Sequence, residues 1–320
     1  KFEFKCSYAQ SYQRAPYCMP ALSITGLTKN FGTFAVLDNL NLQIEKGSIH
    51  GLVGLNGSGK TTTIECILGL QAYNSGNITA LGQSPKQLHL TKGKLVAIFD
   101  SPSLHPNLTV RQCLQHALLL CEKPARSAWE IEKKLGVSRF SDFKIKNLSL
   151  GNKRRVSIAQ ALLGDPEIVV LDEPFNGLDA EGVDDVLELI STLNRDHGTT
   201  FLLSSHQLPY LEQICSHIAI LHHGKITHSD TISNLLGNTQ TTLQIKTPQI
   251  EAASKVLENT LGVELLNIDA NGYLNISVSD SDSIAINQTL VENQIPIAEL
   301  ILKRASLAGL FREITSEEAK

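Results

Sequence analysis

Gly54-Leu55-Asn56-Gly57-Ser58-Gly59-Lys60-Thr61 is the segment whose residue types and spacing speak most directly of chemistry. It matches G-x-x-x-x-G-K-[ST] and follows the apolar run Ile49–Val53. Glycines let successive backbone N–H groups turn inward around an anion. A helix opening at Gly59 or Lys60 aims the positive end of its dipole at the same point. Lys60 adds a full positive charge, and Thr61 offers a hydroxyl to Mg2+. The segment reads as a cradle for the β- and γ-phosphates of ATP. Its candidate nucleotide-binding residues are Gly54, Asn56, Gly57, Ser58, Gly59, Lys60, Thr61 and Thr62. The plainer reading is a Gly-rich turn without a ligand, and the flanking strand and helical run weigh against it.

A second group lies at Asp172-Glu173, closing the apolar run Ile168-Val169-Val170-Leu171. A carboxylate at the end of such a strand reaches Mg2+ in phosphate-loop enzymes, a role that falls to Asp172. Glu173, one residue on, then stands where a carboxylate orients and deprotonates an attacking water. Acids that merely open a solvated loop are common, so the pair gains its meaning from the cradle upstream. Ser149 in Leu148-Ser149-Leu150-Gly151-Asn152 is a good N-cap for a helix through Val156, Ala159 and Leu163. A capped helix start is an anion site, although most caps bind nothing.

These residues need elements to hold them. Short apolar runs alternate with helical stretches from Leu22 to about Ser229, the pattern of an α/β domain. The runs 49–53, 168–171 and 200–203 are continuous and β-branched, as strands buried on both faces are. Val183, Val186, Leu187, Ile190 and Leu193 fall at helical spacing. The expected division is a P-loop α/β domain over 21–229, a polar linker over 230–240 and a small α+β domain over 241–320. In that last part the order is βαββαβ, which suggests a ferredoxin-like fold. Asn271-Gly272 marks a hairpin within it, since both residues accept positive φ cheaply. Met19 is read as the native start, with 1–20 expected to be a disordered extension.

At this point the chain resembles the ABC ATPase family, over Leu22 to about Ser229. Leu148-Ser149-Leu150-Gly151-Asn152 is similar to the family signature L-S-G-G-Q, with Leu150 and Asn152 as departures. Gly177-Leu178-Asp179 resembles the loop that communicates across a dimer. His206 resembles the histidine that senses the γ-phosphate, and Phe31 the aromatic that stacks on adenine. The resemblance implies that Ser149 and Gly151 contact the γ-phosphate held by a second ATPase subunit, in a homo- or heterodimer. It also implies a transmembrane permease as partner, and a cytoplasmic location on the inner face of the cell membrane.

Asp100 stands where the family usually carries Gln, in the loop to the helical subdomain. A carboxylate there is a candidate Mg2+ ligand acting through a water, with its main part in coupling to the permease. An acid at this position, the S-L-G signature and the tail Ser306-Leu307-Ala308-Gly309-Leu310-Phe311 are similar to exporters for bacitracin and lantibiotic immunity. A soluble ATPase of the same class is the alternative reading.

The bulk numbers agree with an ordinary globular protein: 320 residues, 42% hydrophobic and 19% charged, with net charge -4. No nucleic-acid partner is expected from that charge. No apolar run approaches the roughly 20 residues a membrane span needs. The six cysteines show no C-x-x-C pair and read as reduced thiols. Lys153-Arg154-Arg155 reads as a solvated helix face, and the remaining histidines, including His222-His223, as surface or packing residues.

Overall fold

Continuous aliphatic strands need cover on both faces, and the order of elements supplies it. The computed structural model describes residues 19–101, 103–121, 124–237, 241–261, 263, 265–269, 271–278, 282–303 and 306–317. Of the extension expected to be disordered over 1–20, residues 1–18 lie outside the described residues. The chain opens with β1 (Leu22–Phe31), β2 (Phe34–Ile44), β3 (Ile49–Val53), α1 (Lys60–Ile67), β4 (Ser75–Ala80) and β5 (Leu95–Ile98). A helical insertion follows: α2 (Val110–Leu120), α3 (Ala128–Lys134) and α4 (Leu150–Ala161). Next come β6 (Ile168–Asp172), α5 (Ala180–His197), β7 (Thr200–Ser205), α6 (Leu208–Ile214), β8 (His217–His222) and β9 (Lys225–Thr231). The C-terminal part holds α7 (Ile232–Gly237), β10 (Thr241–Lys246), α8 (Ile250–Leu261), β11 (Leu265–Ile268), β12 (Tyr273–Val278), α9 (Asp282–Glu292), β13 (Glu299–Lys303) and α10 (Leu307–Glu317).

A six-stranded sheet of order β5-β6-β7-β3-β8-β9 forms the centre, parallel except at β9. Its strands feed two cores. Val169 and Leu171 of β6 join the helical insertion and α5, while Ile168 and Val170 join α1 and the antiparallel sheet β2-β1-β4. Both faces are dry, which is why these strands read as unbroken apolar runs. All five apolar positions spaced along α5 are buried. Capping boxes, Thr109 with Gln112 and Ser127 with Glu130, fix where α2 and α3 begin.

Strand register then aligns the chemistry. Val53 of β3 lies opposite Ser205 of β7, and Asp172 of β6 lies opposite Ser204 of β7. The loop after β3, the acids ending β6 and His206 after β7 therefore emerge side by side. They share the carboxyl edge of the sheet, where open parallel sheets bind ligands.

Strands β10 to β13 make a separate antiparallel sheet of order β11-β12-β10-β13. β12 is inserted between β10 and β11, a split βαβ order. α8 and α9 cover one face, with Ala253, Leu257, Ile286 and Leu290 against Ile245, Leu274 and Ile276. In the β11–β12 turn, Gly272 has φ 79° and donates its N–H to the Asp269 carbonyl at 3.0 Å.

Two segments differ from the division expected from sequence. The stretch read as a linker forms α7, whose Ile232, Leu235 and Leu236 pack against the core that α5 occupies. A six-residue helix is too short for its period to show. α10 also leaves the unit read as 241–320, burying Leu307 and Phe311 in that same core. The Leu307 N–H donates to Glu212 on α6 at 2.9 Å. Periodicity reveals an apolar face, but not which core it will meet.

Candidate nucleotide-binding site

The phosphate loop is shaped by contacts that exclude side chains. Gly59 has φ 108°, and a Cβ there would stand 2.7 Å from Leu37 Cδ2. A Cβ on Gly54 would lie against Ser58 Oγ and 2.6 Å from the Leu221 carbonyl. Only glycine satisfies both positions. As N-cap of α1, Gly59 has no side chain to occupy the first amides of the helix. Lys60 is 6% exposed and donates Nζ to the carbonyls of Gly54 at 2.9 Å and Leu55 at 3.3 Å.

The acids meet this loop directly. Thr61 Oγ1 donates to Asp172 Oδ2 at 3.0 Å, and Ser204 Oγ donates to Asp172 Oδ1. Glu173 Oε1 pairs with Lys60 Nζ at 3.3 Å. His206 Nδ1 lies 3.1 Å and 3.0 Å from the two Glu173 oxygens. A carboxylate only accepts, so Nδ1 carries the proton in this contact. Glu173 itself sits at φ 47°, a conformation that side chains other than glycine pay to adopt.

Asp100 lies in the loop after β5. Its carboxylate is half exposed and turns to Arg154, with Oδ1 3.6 Å from Nη2. Arg154 itself overturns the reading of 153–155 as a solvated face, since it is 1% exposed. Arg155 is partly buried and pairs with Asp185 on α5. Three consecutive basic residues cannot share one helix face. The run thus held a core-facing cation whose only signal was its place in the helical period. Ser204 was missed as well, a lone hydroxyl at the end of an apolar strand.

Signature residues lie elsewhere. Ser149 caps α4, accepting from Asn152 N at 3.3 Å and Asn152 Nδ2 at 2.9 Å. Asp179 caps α5, accepting from Gly182 N at 3.0 Å. Ser149, Gly151, Gly177 and Asp179 line a cleft of about 330 Å3 that no residue of 54–62 reaches. Phe31 ends β1, with its ring half exposed and Lys29 Nζ 4.4 Å from its centroid. Its hairpin leads into Val36 and Leu37, which pack on Gly59.

The residues present fit a triphosphate. Ser58 Oγ is buried in the loop without a hydrogen-bond partner among the described residues, and the cradle leaves no room for Cβ atoms where the backbone turns. Thr61 and Asp172 offer only oxygen, as suits a hard divalent cation such as Mg2+. A phosphate cradle after a central parallel strand, with an acid pair at the end of a neighbouring one, defines a P-loop nucleoside triphosphatase.

The family model for ABC transporters matches residues 37–176. The bacitracin transport ATP-binding protein BcrA of Bacillus licheniformis is 30% identical over 295 residues, covering 91% of this chain and 95% of that protein. BcrA of Enterococcus faecalis is 31% identical over 292 residues, covering 90% and 94%. A dimeric ATP-binding cassette in a post-hydrolysis state, bound to ADP and Pi, matches with TM-score 0.59 at 27% identity, covering 66% of this chain and 98% of that one. The chain belongs to the ABC transporter family, as an ATP-binding and ATP-hydrolysing subunit that powers a membrane transporter.

Proposed function

We propose that this chain, paired with a second copy or a close relative, drives a permease that exports a peptide antibiotic of the bacitracin kind. The carrying observation is the cluster at the sheet edge: Glu173 held between Lys60 and His206, beside the Thr61–Asp172 pair. Lys60 exchanges Glu173 for the phosphates of ATP, and Glu173 takes the proton of the attacking water. The Thr61 hydroxyl and the Asp172 carboxylate would hold Mg2+, which would supply neutralisation of phosphate charge. His206 keeps the freed Glu173 carboxylate aimed at the water. Phe31 offers its exposed ring to adenine.

Ser149 and Gly151, in their own cleft with Asp179, serve the nucleotide held by the partner subunit. Each chain thus brings half of each site, and ATP closes the dimer by binding the closed state more tightly than the open one. No helix among the described residues is long and apolar enough to cross a membrane. In this reading the subunit works from the inner face of the membrane on a separate permease, as the likeness to transport ATP-binding proteins supports. Asp100 belongs to that coupling rather than to the metal. The unit from β10 to β13 contains none of the assigned catalytic residues and serves coupling or regulation.

Glu173→Gln tests the catalytic assignment. Phosphate release by the purified chain falls about 10^2- to 10^4-fold, the usual weight of a general base. ATP binding survives, and a dimer accumulates on gel filtration with ATP. Turnover at the wild-type rate removes Glu173 from the mechanism. The export reading is tested by bacitracin resistance of cells expressing the chain with its permease. Unchanged sensitivity there, with ATPase intact, leaves the enzyme and overturns the cargo.

A further inference from the structure

Arg154 lies on α4, five residues after the Ser149 cap, yet its guanidinium is buried against the sheet edge. Nη1 donates to the Phe99 carbonyl at 2.8 Å, and Nη2 to the Asp100 carbonyl at 2.8 Å. Nη2 also reaches the Glu173 carbonyl at 3.4 Å and the Asp100 carboxylate at 3.6 Å. One planar fork therefore joins three segments that are far apart in sequence: the signature helix, the loop after β5 and the turn after β6. The Glu173 end matters most. That residue holds φ 47°, and its own N–H is fixed by the Ser204 carbonyl at 2.9 Å. Its amide is thus tied to β7 and its carbonyl to α4, so both peptide groups of a strained residue are restrained.

We propose that Arg154 is a positioning residue that holds Glu173 in its strained backbone conformation and couples it to the Asp100 loop and the signature helix. The inference rests on Glu173 being the residue that activates water. Ordinary packing does not account for the arrangement. Burial alone disfavours the cation, pushing its pKa below the usual arginine value, and the nearby carboxylates of Asp100 and Asp172 oppose that push. Nε is left buried with no partner among the described residues. A side chain kept only for stability is replaced at little cost by an apolar one of similar volume. Here the two terminal nitrogens are placed on the carbonyls of Phe99, Asp100 and Glu173 instead. Displacement of the 99–100 loop, or rotation of α4, is transmitted to the carbonyl of Glu173 and so to its carboxylate.

The test compares Arg154→Lys, Arg154→Met and Glu173→Gln in the full-length chain. It measures kcat and KM for ATP, nucleotide affinity, and thermal unfolding. Arg154→Lys keeps the charge and loses the fork, so kcat falls about tenfold while nucleotide affinity stays within about twofold. Arg154→Met loses more kcat with the same affinity. A folded Arg154→Lys with wild-type kcat overturns the inference. So does an equal loss in kcat and affinity, or the unfolding of both variants, because each marks a packing role. If Glu173→Gln abolishes turnover while Arg154→Lys leaves it intact, the positioning role alone fails. If Glu173→Gln turns over normally, the assignment beneath it fails, whatever Arg154 does.

Discussion

The two halves of the nucleotide machinery are built in opposite ways within one chain. Around the phosphate loop the charged groups are buried and already engaged: Lys60 is 6% exposed, Asp172 4% and Glu173 9%; Lys60 pairs with Glu173, and Asp172 accepts from Thr61. Around the signature the groups are at the surface. Ser149 and Asp179 are exposed, and among the described residues the hydrogen-bond partner of each lies in the first turn of the helix it caps. The first half can be organised by one chain because strand register brings its parts together. In the proposed dimer the second would be completed by another subunit. Burial gives pre-organisation at the cost of access, and exposure gives the reverse. A dimeric ATPase needs both.

The largest effect that would sharpen this contrast comes from α10. Its Leu307 and Phe311 enter the core beneath α6, the helix that begins just after His206. Phe311→Ala should cost about 3 kcal/mol, as large-to-small changes in a core do. Ending the chain at Lys303 should cost more, both read by thermal or denaturant unfolding. Unfolding unchanged by either would place α10 outside the ATPase core.

Next comes Lys60→Ala. Removing a charge-assisted donor worth about 1.5–3 kcal/mol weakens ATP binding roughly 10- to 150-fold. The effect should appear in dilute monomer by calorimetry or fluorescence, because this half is complete in one chain. If the loss shows only at dimer-forming concentrations, the contrast between the halves is wrong.

Ser149→Ala is smaller and should behave the other way. Loss of the cap costs about 1 kcal/mol of stability. Monomer affinity for ATP should not move, while phosphate release by the dimer drops about tenfold. Weakened binding in the monomer would bring Ser149 into its own chain's site.

Asp100→Ala is the mildest. Its carboxylate is 53% exposed and 3.6 Å from Arg154, and exposed pairs are worth about 0–1 kcal/mol. Stability and basal hydrolysis should stay close to wild type, and transport with the permease should be lost. Basal hydrolysis as low as that of Glu173→Gln would return Asp100 to the metal site.

Much of this was legible from local chemistry. The cradle 54–62, the acid pair at 172–173, the apolar face of α5 and the Ser149 cap each depend on neighbours within a turn or a strand. Residue type and spacing express such features fully. Lys153-Arg154-Arg155 misled because charge is a poor guide when one of three neighbours must face inward, and the carbonyls that receive it belong to residues 99, 100 and 173. The pairing of Asp100 with that buried arginine was likewise invisible in the sequence. α7 was too short to show a period, and α10 gave no sign of which core its Leu307 and Phe311 would enter.

By itself the sequence determined the class of chemistry and the residues proposed to perform it. A phosphate cradle and a strand-end acid pair are written in a few adjacent positions whose backbone needs are local. Only the tertiary structure decided that Glu173 is clasped by Lys60 and His206, that Arg154 is buried beneath it, and that the C-terminal helix closes onto the ATPase core. Those contacts join segments tens to more than a hundred residues apart. They depend on sheet order and register, which no local pattern of hydrophobicity or charge encodes.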